Sequence, residues 1–374
     1  MGGPWHERDL ADAGTWDRFE ERVRSATADD VERALGRRPE APADLAALLS
    51  VAAGERLEEL AAAAAAETRR RFGRVVVLYV PLYLSNECTN RCSYCGFSRE
   101  QDIPRATLDE GQVGAEFDRL KEHHFDHVLL LTGEDRRAAP VAYVRDAVAR
   151  AHDRFASVGI EVYPMERGEY AELVAAGCEA ITLYQETYHQ PSYRTIHPGG
   201  PKRDFQRRLR APADAAAAGM RSVGIGALLG LRDWRVEGMF LGLHGHVLRR
   251  AHWRTRLSIG FPRLHAQPDG SPPPVSMTER ELTQLICAMR LAFPDADLVL
   301  STRERAAFRD GMVGIGVTRM SAGSCTRPGG YAVDDGAGEQ FAVVDDRDPA
   351  QVAATIEAGG FEAVWKDWDR GFLD

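Results

Sequence analysis

Apolar and polar positions follow two different rhythms along this chain. Over the first 73 positions the apolar residues recur at helical spacing, which predicts an amphipathic helix over 16–35, a short one over 44–51 and another over 56–72. The last includes six consecutive alanines, 61–66, and high helix propensity accounts for that tract. From position 74 short apolar runs alternate with helix-length segments. Strands are predicted at 75–84, 127–131, 159–163, 180–184, 221–229, 256–261, 297–300 and 317–321. The intervening helices are predicted at 108–123, 141–155, 169–176, 204–218, 234–251, 278–293 and 306–311. Eight strands separated by helices describe an α/β chain folded as a (β/α)8 TIM-type barrel. An open doubly wound sheet is the competing architecture, but no G-x-G-x-x-G follows the first strand. The tail holds a Gly-rich turn, an acidic strand-like piece at 340–346, a helix at 349–359 and the aromatic pair Trp365 and Trp368, whose spacing suits packing anchors. The expected organisation is a helical layer (1–73), a barrel (74–328) and an extension packed on it (329–374).

Composition narrows the class without changing the fold. The 374 residues are 44% hydrophobic and 28% charged, ordinary values for a globular protein. The balance of 47 basic against 56 acidic residues is 47 − 56 = −9, which argues against nucleic acid or an anionic membrane as partner. No run approaches the roughly 18 apolar residues that span a bilayer, and MGGPWHERDL lacks the apolar core of a signal peptide. Six cysteines, three clustered and three scattered (Cys178, Cys287, Cys325), do not form a disulfide framework. A reducing, cytoplasmic setting is expected.

The clustered cysteines change the picture most. Cys88-Thr-Asn-Arg-Cys92-Ser-Tyr-Cys95 follows the first strand directly, in the pattern C-x3-C-x2-C, with no fourth cysteine nearby. Zinc sites and ferredoxin clusters take four protein ligands. Three thiolates can instead hold three irons of a [4Fe-4S] cluster and leave the fourth open. This spacing resembles the radical S-adenosylmethionine (SAM) enzymes, which seat the amino and carboxylate groups of SAM on that open iron. A zinc site completed by a distant histidine is the alternative, although His123, His124, His244 and His246 fall on helix segments.

In a barrel, chemistry collects at the carboxyl ends of the strands. Nearly every predicted end here carries a polar or glycine motif: Thr132-Gly133-Glu134, Tyr184-Gln-Glu186-Thr-Tyr188, Gly224-Ile-Gly226-Ala-Leu-Leu-Gly230, Phe261-Pro-Arg263, Ser301-Thr-Arg303-Glu304 and Ser321-Ala-Gly-Ser324. Gly133 and Glu134 offer a carbonyl and a carboxylate to the SAM ammonium. Glu186 suits a ribose diol, Gly226 a close approach of adenine, and the Tyr94 ring a stack on that base. Arg208 on the following helix could pair with the SAM carboxylate, or lie with Arg203, Arg207 and Arg210 on a solvated face. Arg263 and Arg303 are each placed to grip a substrate carboxylate, and Arg303 could instead pair with Glu304.

Taken together, Pro81-Leu-Tyr-Leu-Ser-Asn86, the loop from Cys88 to Ser98, Thr132-Gly-Glu134, Gln185-Glu-Thr-Tyr188, His197-Pro-Gly-Gly-Pro-Lys-Arg-Asp-Phe205, Ser301-Thr-Arg-Glu304, Met320-Ser-Ala-Gly-Ser324 and Trp365-Lys-Asp-Trp-Asp369 resemble the 2-iminoacetate synthases of thiazole and thiamine biosynthesis. The resemblance covers about residue 75 onward. It implies a radical SAM aromatic amino acid lyase that cuts tyrosine at Cα–Cβ into 2-iminoacetate and p-cresol, using a 5′-deoxyadenosyl radical. It further implies Tyr83, Arg303 and Ser321 at the substrate end, with the arginine and serine on its carboxylate. Implied partners are a low-potential electron donor of flavodoxin or ferredoxin type and a thiazole synthase. Sister lyases share the barrel: one acts on tryptophan, and a tyrosine lyase serving FeFe-hydrogenase has a second cluster. No cysteine follows Cys325, which disfavours the latter. Phenol and indole substrates are not separated by these residues, and a non-catalytic metal-stabilised scaffold or electron carrier is the reading from another class.

Overall fold

The computed structural model describes residues 5–334 and 336–365. Its longest strand, β1 (Val75–Ser85), shows how the barrel is built. Leu78, Val80, Leu82 and Leu84 are fully buried in the main core, while the alternate residues Tyr79, Pro81 and Tyr83 line an interior cavity. Successive side chains of a strand point to opposite faces, so one sequence supplies both the packing under the helices and the lining of the lumen. β2 (His127–Thr132), β3 (Ser157–Glu161), β4 (Ala180–Thr182), β5 (Ser222–Gly226), β6 (Arg256–Gly260), β7 (Asp297–Leu300) and β8 (Arg319–Ser321) follow in order. All pairings are parallel, and β1 joins both β2 and β8, which closes an eight-stranded barrel. A helix lies between each consecutive pair of strands.

The N-terminal helices form a layer against Trp234–Ala251 and Glu279–Ala292. The 16–35 segment is two helices, Thr15–Arg24 and Ala28–Leu35, because Thr27 caps the second: its hydroxyl accepts from the Asp30 amide and Asp30 accepts from the Thr27 amide. In Pro42–Leu49 the five residues 45–49 are at most 2% exposed. They approach closely because Gly242 faces them: a Cβ there would lie 2.2 Å from a Leu45 methyl. Gln284 reaches across to the carbonyls of Leu48 and Ser50 at 3.0 and 2.8 Å. The alanine tract lies inside Leu57–Phe72, as its propensity predicts.

The tail departs from expectation in one respect. The acidic piece 340–346 is not a strand; it runs irregularly across the barrel mouth. A ninth strand, β9 (Glu362–Val364), comes instead after the helix Pro349–Ala358 and pairs with Val75–Val77. Because β2 meets only Val80–Ser85, the first half of that β1 edge would otherwise be bare, and β9 covers it. Trp365 packs on Phe125 with ring centroids 5.2 Å apart; Trp368 lies outside the described residues. Among the described residues no helix is long and apolar enough to cross a membrane.

Candidate active site

The cysteine loop leaves β1 at Ser85 and is held from all sides. Arg105 donates to four main-chain carbonyls, those of Asn86 (2.7 Å), Phe97 (2.9 Å), Ser98 (2.8 Å) and Gln101 (3.1 Å). The carbonyl of Glu134 accepts from the Thr89 amide and hydroxyl, and its carboxylate from Asn90 Nδ2 at 2.7 Å. The amides of Arg91 and Ser93 donate to Gly199 and Ile196, and that of Gly96 to Gln340. Gly133 is required by contact: a Cβ there would lie 2.2 Å from the Glu87 carbonyl oxygen and 3.2 Å from Cys88 Cβ.

Cys88, Cys92 and Cys95 are unpaired thiols bordering one cavity with Thr132, Gly133, Glu134, Glu186, Lys202 and Arg208. Burial pushes the Cys92 thiol up to about 12, with Cys95 and Cys88 acting in the same direction and Lys202 against them; burial also raises Cys88. Three crowded thiols become thiolates only against strong positive charge, which bound iron supplies. Tetrahedral zinc would bring sulfurs to about 3.8 Å of one another. Among the described residues no group of three His, Cys, Asp or Glu side chains is placed to hold a single metal ion, whereas a cube reaches one iron per thiolate. Thr132 Oγ1, buried on the cavity wall without a hydrogen-bond partner, is left for a polar ligand. The residues therefore fit a [4Fe-4S] cluster with SAM beside it.

Of the residues predicted for SAM, Gly133, Glu134, Glu186 and Arg208 border this cavity and Tyr94 borders the adjoining one, with partners the sequence did not reveal. Glu186, at φ 70°, accepts from Lys202 Nζ at 2.7 Å and Arg208 Nη2 at 3.3 Å; all three are buried or nearly so. Those two cations hold its carboxyl below the usual range although burial opposes them. Arg208 also donates to the Tyr184 carbonyl at 2.6 Å, so it faces inward rather than along a solvated helix face. Tyr94 turns its hydroxyl to His197 Nε2 at 2.8 Å, and Lys202 sits 5.5 Å from its ring centre. Gly226 is placed differently from expectation. A Cβ there would fall 2.5 Å from the Tyr184 ring, so the space it leaves is used by that tyrosine.

Tyr83, Arg303 and Ser321 come together on a second cavity next to the first, with Glu161, Tyr184, Gln340 and Phe341. The two arginines expected to compete for a substrate separate cleanly. Arg263 binds Glu304 through two nitrogens and also donates to the Met277 carbonyl. Arg303 has no carboxylate partner among the described residues; its guanidinium stacks 3.3 Å from the centre of the Phe341 ring. Burial lowers its pKa, the sign of a cation short of counter-charge. Ser321 Oγ accepts from the Thr302 amide at 3.2 Å, and the Tyr83 hydroxyl donates to Gln340 Oε1 at 2.7 Å. Ser324 Oγ, on the same wall, is buried and unpartnered. Burial pushes the Cys325 thiol up, as for an inert packing residue.

The radical SAM superfamily model matches residues 82–241, and that of the biotin and thiamin synthesis associated domain matches 260–362. The chain is 44% identical to the 2-iminoacetate synthase of Escherichia coli K12 over 95% of its length and 94% of the relative's, and 43% identical to that of Salmonella typhimurium LT2 over the same shares. Among solved structures it is similar to HydG, a maturase of the [FeFe]-hydrogenase, with TM-score 0.89 and 30% identity, covering 96% of this chain and 81% of that one. Identity at this level over nearly the whole chain, together with three thiols at the mouth of a closed barrel, places this protein in the 2-iminoacetate synthase family of radical SAM enzymes.

Proposed function

We propose that this enzyme cleaves L-tyrosine between Cα and Cβ, giving 2-iminoacetate and p-cresol for thiazole assembly in thiamine biosynthesis. The observation that carries the reading is Arg303: a guanidinium without a carboxylate partner, facing a cavity beside the cluster site. A buried cation is costly unless it is paired, and an amino acid carboxylate pairs it bidentately. Ser321 and Tyr83 add hydroxyls on the same wall. When bound, the cluster and SAM supply a 5′-deoxyadenosyl radical that removes a hydrogen atom from the substrate amine. The chain's task is placement. Cys88, Cys92 and Cys95 hold the cluster; Glu134 serves the SAM amino group, Arg208 its carboxylate, Glu186 its ribose and Tyr94 its adenine. Gln340 and Phe341 roof the mouth and keep out water. A small low-potential protein of flavodoxin or ferredoxin type supplies the electron, and a thiazole synthase receives the imine.

Anaerobic turnover of the iron-loaded protein with SAM, a strong reductant and either tyrosine or tryptophan tests this. Tyrosine is expected to give p-cresol and 5′-deoxyadenosine in step. An indole acid from tryptophan, with no p-cresol from tyrosine, would overturn the choice of substrate.

A further inference from the structure

Glu161 ends β3, opposite Leu131 of β2, at a strand end where no motif stood out. Its side chain borders both cavities, the one with the three thiols and the one with Arg303. The charged and titratable groups facing it come from every side: Tyr79 and Tyr83 of β1, Tyr184 and Glu186 beyond β4, Lys202 and Arg208 behind them, and Arg303 beyond β7. Lys202 and Arg208 are engaged by Glu186. Glu161 itself has neither an ion pair nor a side-chain hydrogen bond among the described residues. Burial pushes its carboxyl up to about 7 and Glu186 acts in the same direction, while Arg303, Arg208 and Lys202 oppose them.

A ligand decides what such a group is for, and the proposed substrate restricts the choice. Resting on that reading, an amino acid held by its carboxylate at Arg303 has its nitrogen one carbon away, and that nitrogen must face the cavity holding the thiols. Glu161 borders both. We propose that Glu161 is a catalytic residue that receives the substrate α-ammonium and takes one proton from it. The step balances without a co-reactant: one N–H bond of R–NH3+ breaks heterolytically, an O–H bond forms on the carboxylate, and R–NH2 faces Glu161–COOH. The amine is then neutral when its hydrogen atom is removed. A carboxyl poised near neutrality suits a proton taken in one stage and returned in another.

The test compares tyrosine with 3-(4-hydroxyphenyl)propanoate, which lacks only the amino group, for binding to the reconstituted holoenzyme by calorimetry. Glu161→Gln is expected to weaken tyrosine by at least about tenfold and leave the desamino acid within about twofold, because only an ammonium meets the carboxylate. Its p-cresol rate should fall about 100-fold, and the acid limb of the wild-type pH–rate profile should vanish. Glu161→Asp, which keeps a carboxylate, is expected to retain the preference for tyrosine and guards against misfolding of the first variant. Equal weakening of both ligands, or a Glu161→Gln rate within about threefold of wild type, overturns the proposal. If the wild type forms no p-cresol yet Glu161 still discriminates the two ligands, the substrate reading falls and the ammonium contact stands.

Discussion

Replacing Arg303 by Met should weaken substrate binding without weakening the fold, and the structure sets both magnitudes. The guanidinium faces the cavity with no carboxylate partner among the described residues, and burial lowers its pKa. Its visible compensation is the Phe341 ring 3.3 Å away, worth up to about 2 kcal/mol for a desolvated cation. Holding an incompletely paired cation away from water costs a few kcal/mol. Met keeps the apolar stem and removes the charge, so these terms offset and the melting temperature should stay within about 2 °C of wild type or rise. Binding follows a different ledger. Two charge-assisted hydrogen bonds to a substrate carboxylate, at about 1.5–3 kcal/mol each before ordering costs, leave roughly 3 kcal/mol, or about 150-fold in Kd. Thermal melts of the apo protein and calorimetric titration of the holoenzyme with tyrosine read the two effects separately. Lys at 303 should recover only part of the affinity, since an ammonium lacks the planar fork. A variant that melts several degrees lower and binds tyrosine as wild type does would show Arg303 to be structural, and the reasoning would fail.

The neighbouring arginine should behave in the opposite way. Arg263→Met leaves the Glu304 carboxylate, with 1% of its side chain exposed, without its bidentate partner, so about 3–5 kcal/mol of stability should be lost in urea titration. Arg105→Met frees four loop carbonyls; iron content after reconstitution should fall well below the wild-type value, while far-UV circular dichroism stays near native because the barrel strands are untouched. Glu237 gives a pH prediction. Burial pushes its carboxyl up to about 7 from an ordinary 4.5, although Thr187 and the Tyr188 amide donate to it. Between those values the folded state binds the extra proton, so this group's contribution falls as pH rises from about 4.5 to about 7, by about 3 kcal/mol in all. Glu237→Gln should flatten that slope in stability against pH, and an unchanged slope would refute the assignment.

The barrel was legible because parallel strands buried on both faces read as continuous apolar runs separated by helical periods. β9 was not: three residues have no pattern of their own, and they form a strand only because β1 leaves an edge to pair with. The piece 340–346 carries a short apolar run, Phe341–Val344, suited to a strand, yet its residues serve the mouth, where Gln340 and Phe341 meet Tyr83 and Arg303. The cysteines and decorated strand ends mark the site because position along a strand predicts the end of the barrel. Partner choice was not predictable in the same way. Arg303 and Glu304 are neighbours in sequence, but the chain turns after β7, with the Glu304 amide donating to the Ser301 carbonyl, and Glu304 meets Arg263 from 41 positions away. Glu161 and Lys202 had no such signal, since each matters only through residues brought to it by other strands.

The Gln340 contacts also carry a consequence in time. Its carbonyl accepts from the Gly96 amide, and its side-chain nitrogen lies 3.8 Å from Cys95 Sγ, across a separation of 245 residues. The chain is synthesised from its N-terminus, so the thiols leave the ribosome long before the residues that roof them. Until Gln340 and Phe341 dock, the metal site is open from above, giving iron–sulfur donors a period of access that ends when this last part of the chain closes over it.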